Sequence, residues 1–163
     1  MPLTALRSKT RVTVTQRSAC TCGSLRKASR RISQFYDTAL APVGIKSTQY
    51  SILSELERSE SVGGIGMSDL ADAMVMDRST LGHNLRPLQR DRLLQLRLSD
   101  DDGRKRLVVL TQKGKSTLHQ AQRLWRTAEG RFEKVFGKRH AATLRAVLLS
   151  IAGNAELNSL PLR

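Results

Sequence analysis

The chain has 163 residues, enough for one compact domain or a small domain with an appended module. It is 39% hydrophobic but only 4% aromatic, which points to an aliphatic core of helices packed on helices and away from a β-sandwich. The net charge of +14 makes nucleic acid the first candidate partner, the two cysteines are too few and too close for a secreted disulfide framework, and no stretch approaches the roughly 18 apolar residues of a membrane span.

The charge is unevenly spread. Residues 1–67 carry ten basic and four acidic side chains, 68–111 eight and seven, and 112–163 ten and three. The middle segment is nearly neutral, so any function assigned to it rests on pattern. Residues 1–18 hold Arg7, Lys9, Arg11 and Arg17 with no acid and little apolar periodicity, and read as a basic arm. They contain no apolar signal-peptide region, so a cytoplasmic location is expected.

A first helix is expected from Ser18 to Ala41, with Leu25, Ser29, Ile32, Phe35, Tyr36 and Leu40 as one buried stripe and Pro42 and Gly44 ending it. Ser47 and Thr48 cap a second helix whose apolar members are Tyr50, Ile52, Leu53 and Leu56. Gly63 to Gly66 reads as a flexible connection. Ser68 is the expected N-cap of a short helix reaching Met74, with Asp69 and Asp72 where the helix dipole favours acids. Asp77 caps the next helix, Arg78 to Asp91. Its Leu81, Leu85 and Leu88 face inward, and Ser79, Thr80, His83, Asn84, Arg86 and Arg90 cover the other sides. Pro87 inside it removes one backbone hydrogen bond. Leu93 to Leu98 and Arg104 to Leu110 are two strands joined by the turn Ser99 to Gly103, forming a hairpin with a charged tip. Thr111 caps a long helix with the stripe Leu118, Ala121, Leu124, Trp125 and Ala128, expected to break near Gly130 and resume through Phe132, Val135 and Phe136. A last helix, about Lys138 to Asn154, presents Ala141, Leu144, Val147, Leu148 and Ile151.

A short capped helix, a tight turn, a helix with a polar outer face and a charged hairpin stand in order, which is the arrangement of a winged helix-turn-helix. A helix fits the major groove, where paired hydrogen bonds distinguish base edges; a preceding helix braces it, and a hairpin arginine can reach the adjacent minor groove or the phosphates.

The sequence also resembles the MarR family of bacterial regulators over about residues 20–153. Met67-Ser68-Asp69-Leu70-Ala71 is similar to the family's supporting helix, and Asp77-Arg78-Ser79-Thr80-Leu81 with Asn84-Leu85-Arg86-Pro87-Leu88 to its recognition helix. Leu93-Leu94, Asp102-Gly103-Arg104 and Val108-Val109-Leu110-Thr111-Gln112-Lys113-Gly114 are similar to its wing, the most specific part of the match. The resemblance implies a mainly α fold with a small β-hairpin wing: a winged helix-turn-helix at about 47–111, flanked by dimerisation helices at about 19–41 and 111–154. It implies a homodimer on a pseudo-palindromic double-stranded operator, acting by default as a repressor. Arg78, Ser79, Thr80, His83, Asn84, Arg86 and Arg90 would meet the major groove and its phosphates. Arg104, with Lys105 and Arg106, would serve the wing, and Asp102 would hold Arg104 by an ion pair. The family's inputs are small molecules, often phenolic, or oxidants.

Cys20 and Cys22 near the start of the first helix are then candidate sensors; two small buried residues with no redox duty are the other reading. Residues two apart on a helix point about 200° apart, so a bond or shared metal between them requires the helix to begin after Cys22, while pairing between subunits stays open. Arg26 and Tyr50 are candidates for lining an effector pocket. His83, His119 and His140 show no metal-ligand spacing, and no cofactor is expected. An enzyme is disfavoured: there is no Ser/His/Asp arrangement with supporting context, no phosphate-binding glycine loop and no His-Glu-x-x-His. The alternative is a winged-helix module that binds protein or RNA without an effector.

Overall fold

The computed structural model describes residues 20–99, 103 and 105–159, with the side chains of 158 and 159 left out. The basic arm at 1–18 and the wing-tip residues Asp102 and Arg104 therefore lie outside the described residues. In chain order the elements are α1 (Thr21–Leu40), α2 (Ser47–Arg58), β1 (Ile65–Gly66), α3 (Met67–Ala73), α4 (Arg78–Arg90), β2 (Leu94–Leu98), β3 (Arg106–Leu110), α5 (Gln112–Phe136), α6 (Lys138–Ala152) and α7 (Glu156–Ser159). Short 3-10 turns at Ala41–Val43 and Glu60–Val62 follow α1 and α2. The fold is mainly helical with one small antiparallel sheet, and no described helix is long and apolar enough to cross a membrane.

Two units divide at Ile32 and Ser33, inside α1. In the first, the described residues are the opening turns of α1, where Leu25 is 41% exposed and every residue from Ser24 to Arg31 is exposed. The expected buried stripe thus holds only for Tyr36 and Leu40, in the second unit. Periodicity marks the stripe, but within this chain only the last turns of the helix meet a core.

The core of the second unit is aliphatic, as the composition requires. Leu40, Ile52, Leu53, Leu56, Leu70, Leu81, Leu88 and Leu118 are fully buried, each contributing roughly 1.5–3 kcal/mol relative to exposure. Leu81, Leu85 and Leu88 carry α4 onto this core, and Pro87 leaves the helix continuous.

Four local expectations are corrected. Gly63 to Gly66 is not a free connection: Ile65 pairs with Val108 and Gly66 with Leu107, making a three-stranded sheet of order β1-β3-β2. Gly64 sits at φ +119°, and a Cβ there would lie 2.5 Å from Val109 Cγ1, so only glycine lets the chain pass this close to β3. The caps differ too. At α2 the N-cap is Lys46, whose N–H donates to Gln49 Oε1 at 2.8 Å, while Ser47 N–H and Oγ donate to Asp37 Oδ1 at 2.7 and 2.6 Å. At α3 the N-cap is Gly66, because β1 delivers the chain directly into Met67. Finally, α5 runs unbroken through Gly130; one exposed glycine costs a helix of 25 residues about 1 kcal/mol and does not end it. The short α7 was not anticipated, and α6 closes at Ala152 rather than Asn154.

Asp77 and Thr111 cap as expected, accepting from Thr80 N–H and Gly114 N–H. Thr111 does more. Its N–H donates to the Leu93 carbonyl at 3.1 Å, its Oγ1 donates to the Arg92 carbonyl at 2.6 Å, and Lys113 Nζ donates to the Asp91 carbonyl at 2.9 Å. These bonds clasp the first turn of α5 to the corner between α4 and β2.

Candidate nucleic-acid interface

At 3.6 residues per turn, Ser79, His83, Arg86 and Arg90 fall within about 60° of one another, on the side of α4 opposite Leu81, Leu85 and Leu88. All four are exposed, giving a polar stripe about 16 Å long on a helix whose other side is locked in the core. Asn84 lies at the flank, half-buried, with its Nδ2 donating to the Thr80 carbonyl at 2.8 Å. Arg90 Nε donates to Asp91 Oδ1 at 3.0 Å. That bond raises the Arg90 pKa and lowers that of Asp91.

The N-terminal end of α4 is tied together by Asp77. Its Oδ1 accepts from Ser79 Oγ at 2.6 Å and from Thr80 N–H at 2.8 Å, and its Oδ2 accepts from Thr80 Oγ1 at 2.7 Å. These hydrogen bonds hold its carboxyl well below the usual carboxylate range. Arg78 reaches back to donate to Ser68 Oγ, linking α4 to α3. The turn between them passes through Val75 at φ +52°, a left-handed conformation that β-branched residues rarely adopt.

The hairpin is fixed at its base. Leu94 to Leu98 pair in register with Leu110 to Arg106. Arg97 Nη2 donates to the Gly63 carbonyl at 3.0 Å, and Lys105 Nζ lies 3.7 Å from Asp69 Oδ2 of α3. Lys105 and Arg106 are exposed at the described start of the returning strand. The structure thus brings the α4 residues onto one helix and places Lys105 against α3, the helix that braces it.

The candidate effector residues sit in different settings. In the first unit, Cys20, Cys22 and Arg26 are exposed, which corrects the reading of the cysteines as buried, and Gly23 N–H donates to Cys20 Sγ at 3.4 Å. The helix begins at Thr21, between the two cysteines. In the second unit, Tyr50 stacks on Trp125 with ring centroids 4.5 Å apart, and Tyr36 stacks there at 4.1 Å. The Tyr36 hydroxyl donates to Glu129, which also takes an ion pair from Arg145. Burial raises both tyrosine pKa values, for Tyr36 with the added effect of Glu129. The sequence reading placed Trp125 in an apolar stripe and missed this stack; that Trp125 is the only tryptophan was the one signal available. Among the described residues no cluster of His, Cys, Asp or Glu could hold a metal ion.

A sequence model of the MarR family matches residues 43–105, from the 3-10 turn after α1 to the start of the returning hairpin strand. No curated protein matches the chain in sequence. Among solved structures, the transcriptional regulator MosR of M. tuberculosis in complex with DNA is 31% identical, with 86% of this chain and 99% of that one covered and a TM-score of 0.74. The transcriptional repressor CouR of Rhodococcus jostii RHA1, bound to a 23-mer DNA duplex, is 26% identical over 82% of this chain and 92% of that one, with a TM-score of 0.73. MepR of S. aureus in a DNA complex shares the fold at 20% identity, 81% and 94% coverage and a TM-score of 0.67.

Proposed function

The chain belongs to the MarR family of transcription regulators, and from that premise we propose that it binds a pseudo-palindromic double-stranded operator as a homodimer and represses transcription until an effector releases it. The observation that carries this reading is the exposed Ser79, His83, Arg86 and Arg90 stripe, rigidly backed by buried leucines and flanked by a hairpin anchored to α3. A groove-reading helix needs this: side chains held to a fraction of an ångström by a core that does not move. The DNA complexes of MosR and CouR, 31% and 26% identical, support DNA as the partner of this chain.

Homodimerisation is supported by apolar side chains that this chain leaves uncovered. Val135 is 77% exposed and Leu149 71%, and Phe136, Val147 and Leu157 are about half exposed. Large apolar side chains left exposed near the end of α5 and along α6 are available to a partner surface. Two α4 helices related by a two-fold axis would read half-sites about one helical turn, roughly 34–36 Å, apart. Arg104 at the wing tip, held by Asp102, would contact the minor groove, and Lys105 and Arg106 the phosphates.

The input is proposed to be a small molecule, phenolic among the candidates, or oxidation at Cys20 and Cys22, both exposed residues. CouR bound to p-coumaroyl-CoA is a precedent for a ligand-bound state of this fold. Either input lowers affinity by changing the separation of the two reading helices, since both half-sites must fit together.

The test is genomic selection of bound fragments, followed by anisotropy on the selected operator. Arg86→Ala and Arg104→Ala are each expected to weaken binding and to flatten the salt dependence by about one counterion, with the fold and sedimentation of the dimer unchanged. Unchanged affinity at moderate salt for both variants would overturn the assignment of α4 and the wing as the reading surface, and recovery of no bound fragments would remove the operator reading and favour a protein- or RNA-binding role. Peroxide treatment of wild type, Cys20→Ser and Cys22→Ser decides the oxidant input.

A further inference from the structure

Apart from proline, glycine is the least favourable residue inside a helix, and α4 carries one in its interior, Gly82. Nothing within the chain requires it. Its φ lies outside the left-handed region, and a Cβ built there meets no atom within 4 Å. Gly64, held against β3, is the opposite case. At about 100° per residue, Gly82 falls on the flank of α4, between the buried face of Leu81 and the exposed stripe. Arg78 and Arg86 stand four residues before and after it, each about 6 Å along the axis and about 40° round it, and both are exposed. The bare backbone at Gly82 therefore lies between two cationic side chains.

The bond from Arg78 to Ser68 Oγ identifies this flank as the one beside α3. In a helix-turn-helix the bracing helix crosses the DNA backbone, so a flank on that side meets phosphates before base edges. A major groove about 12 Å wide takes a helix about 10–12 Å across with little slack. At Gly82 the helix wall recedes from side-chain radius toward the Cα cylinder, about 2.3 Å in radius. We infer that Gly82 is the floor of a phosphate slot: one backbone phosphate of each half-site seats against α4 there, between the guanidinium groups of Arg78 and Arg86. The arginines supply the donors and Gly82 the clearance, its own N–H being committed to the helix ladder. The inference deepens the proposed operator-binding role of α4 and rests on it.

Thermal unfolding and anisotropy on the selected operator, with wild type, Gly82→Ala, Arg86→Ala and the double variant, test it. Gly82→Ala is expected to raise the thermal midpoint by about 2–4 °C, since alanine is the better helix former and its methyl strikes nothing in the chain. The same methyl is expected to weaken operator binding about tenfold, as over-packing of a filled contact should. The loss is uniform over operators altered at single base pairs, and the slope of log affinity against log salt falls by about one for each half-site. In the Gly82→Ala background, Arg86→Ala costs less than it does in wild type, because both act on one phosphate. A stabilised Gly82→Ala protein with wild-type affinity overturns the inference. So does a destabilised one, which would put the reason for the glycine inside the fold. A loss confined to particular base pairs, or fully additive losses in the double variant, overturns it too. Recovery of no bound fragments by wild type would instead remove the operator reading beneath it.

Discussion

Two glycines of the same helix are expected to respond to the same substitution with opposite signs. Gly114 lies in the first turn of α5, buried against the corner between α4 and β2. A Cβ built there would overlap the Leu93 carbonyl oxygen outright, sit 2.9 Å from its carbonyl carbon and 3.3 Å from Leu110 Cδ2. The obstruction is backbone, which no rotamer change relieves. Separating the two would also stretch the 3.1 Å bond from Thr111 N–H to the same carbonyl. Over-packing of this kind costs about 1–3 kcal/mol, and the weakened hydrogen bond about 1 kcal/mol more. The better helix propensity of alanine returns about 1 kcal/mol, for a net loss of about 1–3 kcal/mol. Gly130 is exposed in the same helix, and a Cβ there meets nothing within 4 Å. Gly130→Ala therefore stabilises by about 0.5–1 kcal/mol. Urea unfolding of both variants at one protein concentration, followed by the fluorescence of Trp125, measures the difference. A shift of both midpoints in the same direction, or a Gly114→Ala midpoint equal to wild type, would refute the reasoning.

Val75→Asn is expected to raise stability by about 1 kcal/mol, because asparagine tolerates the left-handed φ of +52° and the valine side chain is 65% exposed, with little burial to lose; thermal unfolding reads it. Tyr36→Phe removes the hydrogen bond to Glu129 but keeps the ring on Trp125, and should cost about 1 kcal/mol in urea unfolding. Asp77 has a pKa lowered in the folded state, so its contribution to stability is complete above the ordinary carboxylate range and fades as pH falls below it. The stability gap between wild type and Asp77→Ala should accordingly be full at pH 7 and smaller at pH 3; an equal gap at both would contradict the hydrogen-bonded cap.

The helices were legible where a few residues decide them. Asp77 and Thr111 cap helices whose acceptor and donor lie three positions apart, so local chemistry sufficed. The cap of α2 was not legible, since Asp37 from ten residues earlier satisfies Ser47. Nor was β1, a strand of two residues that exists only because Val108 and Leu107, some forty positions later, present an open edge. The stripe on α1 was visible as periodicity, yet periodicity does not say what covers it. At the interface, the outward face of α4 followed from the spacing of Leu81, Leu85 and Leu88. The direction of each hydroxyl did not, because it depends on where the Asp77 carboxylate settles.

The clasp at the start of α5 also has a mechanical meaning. From Gly114 to Phe136 the helix runs about 33 Å, and its near end is pinned to the Arg92 and Leu93 carbonyls at the root of the hairpin. Such a rod is a lever with its fulcrum at the wing. A tilt of about 3° at the fulcrum carries the far end through about 1.7 Å, and in the reverse sense a small push at the far end reaches the wing reduced in distance but multiplied in force. A molecule acting far from the reading surface would then need only to lean on α5, with the close passage of Gly114 against Leu93 carrying the motion to the wing.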